Sequence, residues 1–130
     1  MRRILTPDDL KKGDLAEPGW HPAEIVDYDE EAASDEAKNP GSTNCNFYFK
    51  ILDGPSKGIT AKRLFNETAL GFGKNLWKTL NFPYDPNTGY ELSTELFRQT
   101  VGFKLQIYIK RGKSNKGNEF NDVQDFRPMQ

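Results

Sequence analysis

In 130 residues the sequence holds one cysteine, one histidine and no apolar run of membrane-spanning length. The lone Cys45 excludes an intrachain disulfide framework and suits a reducing compartment. It opens an apolar alternation, where a thiol serves as a small buried hydrophobe. The lone His21 precedes Pro22 and has no Cys or His partner at metal-ligand spacing, so no zinc-type site is expected. The opening residues, Met1-Arg-Arg-Ile-Leu-Thr-Pro7, lack the apolar core of a signal peptide, and the expected location is the cytoplasm. Internal repeats are also missing. Net charge is only −1, which at first argues against a nucleic-acid partner.

The charge that is present is segregated. Residues 1–49 carry 5 basic and 11 acidic side chains (−6), residues 50–116 carry 12 against 5 (+7), and residues 117–130 carry 1 against 3 (−2). One face can therefore be positive on a nearly neutral molecule. Aromatic residues are abundant, with nine Phe, five Tyr and two Trp, and such a chain fits a small β-rich barrel better than a helical bundle. The length fits one domain. Residues 1–18 read as a polar arm with a short turn at Pro7–Lys12, and residues 19–128 as the folded unit.

Residues 101–111 carry the clearest pattern. Val101, Phe103, Leu105, Ile107 and Ile109 alternate with Gly102, Lys104, Gln106, Tyr108 and Lys110, so one set faces a core and the other faces outward. The outward row offers lysines to phosphates and a ring to an unpaired base. The same row is what an exposed strand with solubilising lysines would show. Other strands are expected at Gly19–Tyr28, Asn44–Leu52, Ile59–Phe65 and Glu119–Phe126. In Asn44–Leu52, Tyr48 and Lys50 share the outward parity. Lys62 and Arg63 point to opposite faces of a regular strand, so only one joins such a platform unless a bulge intervenes.

Between the strands, residues 29–43 contain five acidic side chains and no apolar period, the mark of a long flexible loop. Asp27, Asp29, Glu30 and Glu31 resemble a solvated acidic stretch more than an ordered cation site. Ala69, Phe72, Leu76, Trp77 and Leu80 predict one helix, capped by Asn66 or Thr68, stopped by Asn81 and Pro83, and weakened by Gly71 and Gly73. Trp20, Phe72 and Trp77 are expected in the core. A loop at Phe82–Glu91 leads to a helical turn near Thr94–Arg98. The hairpin 111–118 places Arg111, Lys113 and Lys116 where a cationic finger could close over a nucleic-acid backbone. Its Gly112-Lys113-Ser114 is no P-loop, because Ile107 stands where the Walker spacing needs glycine and no helix follows. No cofactor, metal or enzymatic chemistry is implied.

Three strands, a helix and a two-stranded hairpin predict a five-stranded OB-type Greek-key barrel with a helix between strands three and four. An SH3-like barrel and an α+β sandwich are the alternatives. Over residues 17–128 the sequence resembles phage-encoded single-stranded DNA-binding proteins of the small OB-fold kind. The resemblance is carried by Gly19-Trp20 with Ala23-Glu-Ile25, Phe47-Tyr-Phe-Lys-Ile-Leu-Asp-Gly-Pro-Ser-Lys-Gly58 and Leu64-Phe-Asn66. It continues in Val101-Gly102 with Tyr108-Ile-Lys-Arg-Gly112, and in Asn121-Asp-Val-Gln-Asp-Phe-Arg-Pro128. It implies sequence-tolerant binding of single-stranded DNA in phage replication or recombination, in the host cytoplasm. The other reading is an accessory domain that docks a replication or recombination protein through its acidic loop. Oligomeric state is left open.

Overall fold

The computed structural model describes residues 1–11 and 13–130. Its elements, in chain order, are α1 (Pro7–Lys11), β1 (Gly19–Ala32), β2 (Thr43–Ile51), β3 (Thr60–Asn66), a 3-10 helix (Glu67–Gly73), α2 (Lys74–Thr79), β4 (Tyr84–Asp85), β5 (Gly89–Tyr90), α3 (Thr94–Arg98), β6 (Lys104–Lys113) and β7 (Glu119–Pro128). The protein is mainly β. Five strands form one antiparallel sheet in the order β3-β2-β1-β6-β7, and β4 and β5 form a separate small hairpin. The turn expected at Pro7–Lys12 is the helix α1, and Lys12 lies outside the described residues.

Period-two alternation builds the core as expected. Cys45, Phe47, Phe49 and Ile51 of β2 and Leu105, Ile107 and Ile109 of β6 are buried together with Ile25, Phe65, Val123 and Phe126. β1 is long enough to serve two partners. Gly19–Glu24 pairs with β6, and Ala23–Ala32 pairs with β2. A bulge between Ile25 and Asp27 inserts Val26 and switches the parity of the strand. Ala23 and Ile25 face inward before it, and Tyr28 does so after it.

Several expectations are corrected. The acidic stretch is not a loop throughout, because Asp29–Ala32 continues β1 opposite Asn46–Thr43, leaving 33–42 as the connection. Pairing with β2 overrides the polar composition, since Asn46 and Tyr48 donate hydrogen bonds to the carboxylate of Asp29. The single predicted helix is two. A kink at Ala69 (φ −135°, ψ 32°) lies inside the 3-10 segment, which turns Phe72 out to 82% exposure, and α2 then buries Leu76 and Trp77. Val101 is exposed in the turn before β6 rather than in the strand. Trp20 is only half buried, on the outer side of the sheet. The loop 82–91 holds the β4–β5 hairpin, and the last hairpin loop is confined to 114–118.

Capping groups fix the helical segments. Asn66 Oδ1 accepts from Thr68 N, and Ser93 Oγ accepts from Leu96 N. α2 ends in a Schellman motif. Phe82 N donates to Trp77 O, Asn81 N donates to Lys78 O, and Asn81 takes the left-handed conformation at φ 57°. The Phe82 ring stacks on Trp77 at 5.9 Å and 14°, the apolar contact that accompanies this motif. Gly73 is needed for a different reason, since a Cβ there would clash with the indole ring of Trp77, 2.6 Å from Cε2. Trp77 is held by Phe82 and Phe97 and cannot yield. Gly73→Ala should therefore lower stability by about 1–3 kcal/mol, measured as a drop in the urea midpoint with unchanged m. A wild-type midpoint would show that the indole can move.

β3 and β7 are the edges of the sheet, and no ladder joins them among the described residues. They approach through side chains. Arg63 Nη1 donates to Val123 O at 3.0 Å, and Asn121 Nδ2 donates to Thr60 O at 3.4 Å. Asn121 also pins the segment before β1, accepting from Ala16 N and donating to Asp14 O. No helix among the described residues is long and apolar enough to cross a membrane.

Candidate nucleic-acid interface

The outer side of β1, β6 and β7 carries the strongest aromatic and cationic grouping. Register sets Trp20 opposite Tyr108, Pro22 opposite Gln106, and Glu24 opposite Lys104. On the other side of β6, Gln106 faces Arg127, Tyr108 faces Asp125, and Lys110 faces Asp122. The Trp20 and Tyr108 rings lie 5.3 Å apart at 58°. The Arg127 guanidinium sits 4.0 Å over the indole, and its Nε donates to Gln106 Oε1. Arg127 thus occupies Trp20, while Tyr108 is half exposed between Lys104 and Lys110, both exposed. Neither lysine has an ion-pair partner among the described residues.

The outward row of β6 ends at Gly112, in the β6–β7 hairpin. Lys113 ends β6, Lys116 lies in the loop, and Gly112 lets the Phe120 ring pack directly on the strand. Arg111 has the opposite parity to Lys110 and pairs with Glu119 at 3.8 Å. The structure therefore brings Lys104, Tyr108 and Lys110 onto one face, leaves Arg111 and Lys113, which share a parity, on the other side of the strand, and places Lys116 in the loop.

The outer side of β1, β2 and β3 has a different character. Tyr48 lies opposite Lys62 and Lys50 opposite Thr60, so Lys62 joins the Tyr48 row and Arg63 does not. The bulge at Val26 adds Asp27, Asp29 and Glu31 to the same face. Tyr48 Oη donates to Asp29 Oδ2 at 3.0 Å, Lys62 Nζ lies 3.7 Å from Glu31 Oε1 and 5.9 Å from the Tyr48 ring, and Asn46 Nδ2 donates to Asp29 and Glu31. Asn46, which shares the parity of Tyr48 and Lys50, is nevertheless buried beneath these carboxylates. The cations here are matched by acids, which weakens this half as a phosphate surface.

The same acids tune Tyr48. Desolvation and the hydrogen bond to Asp29, with the charges of Asp29, Glu31 and Asp27, push its hydroxyl from 10.0 up to about 12. The folded state then holds a proton that the unfolded chain releases near pH 10, so this contribution to stability is complete below pH 10 and is lost as pH rises through about 12. Asp29→Asn should return part of that shift, read as an earlier Tyr48 step in an absorbance titration at alkaline pH. An unmoved step would assign the shift to desolvation alone. On the inner side, Glu30 accepts from Tyr28 Oη and Thr94 Oγ1, which lowers its carboxyl pKa and ties β1 to the start of α3.

Two groups lie outside the sequence-based set. Trp20 and Arg127 complete the Tyr108 surface, and register with β6 is what reveals them. Lys74, Lys78, Tyr84 and Tyr90 gather on α2 and the β4–β5 hairpin, whose two-residue strands are too short to show a period. No group of three or more His, Cys, Asp or Glu placed to hold a metal occurs among the described residues. No protein-family model matches the chain, and no curated protein matches it.

Proposed function

We propose that this protein binds single-stranded DNA without sequence preference and performs no catalysis. The observation that carries this reading is the half-exposed Tyr108 ring beside Trp20, flanked on one face by the exposed Lys104 and Lys110. A flat ring among lysines takes an unpaired base and its phosphates, whereas the bases of a duplex are stacked out of reach. The strand order β3-β2-β1-β6-β7, the helical insertion between β3 and β6, and the side-chain links between β3 and β7 support an OB-type barrel as the scaffold. The resemblance to phage single-strand binders supports a role in phage DNA replication or recombination, inside the host cell.

Fluorescence anisotropy with labelled oligo-dT, oligo-U and duplex tests this directly. Oligo-dT should bind more tightly than duplex, and Tyr108→Ala should weaken it by about 1–3 kcal/mol, roughly 5- to 150-fold. Folded wild-type protein that ignores oligo-dT at low salt would overturn the reading.

A second reading has its own support. Asp27, Asp29 and Glu31 stand on a strand beside Tyr48, so the acidic row is rigid and shaped for a basic protein partner of the replication or recombination apparatus. In that case oligo-dT binding is absent, and Asp29→Asn with Glu31→Gln abolishes capture of the partner.

A further inference from the structure

We infer that the cleft between α2 and the β4–β5 hairpin takes the continuation of the bound strand, with an unpaired base against Tyr84 and flanking phosphates on Lys74 and Lys78. The inference rests on the single-strand reading above and extends it to a second surface.

The cleft has a volume of about 580 Å³ and is lined by Lys74, Lys78, Asn81, Phe82, Tyr84 and Tyr90. Lys74 and Lys78 are four residues apart on α2, so both project from one face of the helix. No carboxylate lines the cleft, and neither lysine has an ion-pair partner among the described residues. This contrasts with Lys62, which Glu31 neutralises. Tyr84 is 62% exposed and is steadied from one side by Tyr90, with ring centroids 4.9 Å apart. Its remaining surface is open for stacking. The floor is rigid, because the Schellman motif fixes Asn81 and Phe82 and Phe82 is stacked on the buried Trp77.

An occupant must satisfy two fixed cations and a row of rings, and must offer flat apolar groups joined by anions. A single nucleic-acid strand has that chemistry; a basic peptide does not. Position favours the same strand that crosses Tyr108. Asn75, next to Lys74, donates from Nδ2 to Asp125 Oδ1 at 2.8 Å, and Asp125 is the β7 residue opposite Tyr108. The N-terminal end of α2 thus abuts the Tyr108 surface, and the cleft lies beyond it.

The test compares wild type, Tyr108→Ala, and a variant carrying Lys74→Gln, Lys78→Gln and Tyr84→Ala. Each binds oligo-dT of about 4 and about 16 nucleotides, the span of site sizes for one domain of this kind. The double Lys74→Gln, Lys78→Gln variant is measured in parallel, in case Tyr84→Ala disturbs the hairpin. For the triple variant, affinity for the longer oligonucleotide should fall about tenfold while the shorter one binds as before. The slope of log affinity against log salt should be shallower by about 1.4, about 0.7 for each lost phosphate contact. Wild-type affinity and slope in both cleft variants, with binding still weakened by Tyr108→Ala, would overturn the cleft and leave the Tyr108 surface standing. Equal losses for both lengths would make the cleft the primary site and overturn its role as a continuation. Wild-type binding by Tyr108→Ala would place the failure in the underlying reading instead.

Discussion

Trp77→Ala should cost about 3–5 kcal/mol of folding free energy, a large share of the roughly 5–15 kcal/mol that holds a domain of this size. Trp77 is 1% exposed and sits where the 3-10 helix, α2 and α3 meet the sheet. Its ring stacks on Phe97 at 5.0 Å and on Phe82 at 5.9 Å, and meets Phe65 at 5.2 Å and Phe47 at 5.9 Å. Indole Nε1 donates to Leu70 O at 2.8 Å, closing the 3-10 segment onto α2. Truncation removes all four ring contacts, opens a cavity that the sheet cannot collapse into, and orphans a carbonyl. Equilibrium urea unfolding reads the loss. A cost under about 1 kcal/mol would mean that the aromatic cluster repacks. Trp77→Phe should retain most of the ring contacts and lose about 1–2 kcal/mol, chiefly through the orphaned Leu70 carbonyl. Because the chain has only two tryptophans, emission from that variant comes from Trp20 alone. Quenching by oligo-dT then reports on the Tyr108 surface without a contribution from the core.

The parts of the fold legible in the sequence are those with an uninterrupted period. Cys45 to Ile51 and Leu105 to Ile109 announce their faces because every second residue is apolar, and the structure buries each of them. What the sequence hides are the interruptions. The extra residue at Val26 has no compositional mark, yet it reverses the parity of β1 and delivers Asp27, Asp29 and Glu31 to the face of Tyr48. Phe72 fits a helical stripe with Leu76, but a 3-10 turn advances about 120° per residue rather than 100°, and the stripe breaks at Gly73. Trp20 passes for core by size, although its partner in register is the outward Tyr108.

The candidate site divides in the same way. Lys104, Tyr108 and Lys110 follow from one strand's alternation and stand together as expected. Tyr48, Lys50 and Lys62 share a face too, but whether a lysine is available to phosphate depends on which acids the neighbouring strand brings, and the composition of 29–43 reads Asp29 and Glu31 as loop. Cation count along the chain cannot distinguish Lys62, paired with Glu31, from Lys110, which has no ion-pair partner among the described residues. Only register can.

Arg63 makes that distinction sharpest, and Arg63→Ala should lower stability by about 2–4 kcal/mol while leaving single-strand binding intact. Opposite parity to Lys62 places its side chain on the inner row with Phe65, where the guanidinium lies 4.7 Å from the ring centroid. From there Nη1 reaches across to Val123 O on β7. This charged donor links the two strand edges that the backbone leaves unpaired, and hydrogen bonds to charged groups contribute about 1.5–3 kcal/mol. Removing it also strips a partner from a carbonyl on a 1%-exposed residue. Arg63→Lys should recover little, since a lysine ammonium has neither the planar fork nor the same stacking on Phe65. The binding measurement separates structure from contact. In folded Arg63→Ala the salt slope for oligo-dT should match wild type, whereas Lys110→Gln should flatten it by about 0.7. If Arg63→Ala instead flattens the slope by that amount and unfolds at the wild-type urea midpoint, Arg63 contacts phosphate and the β3 and β7 edges are held together by Asn121 and the core alone.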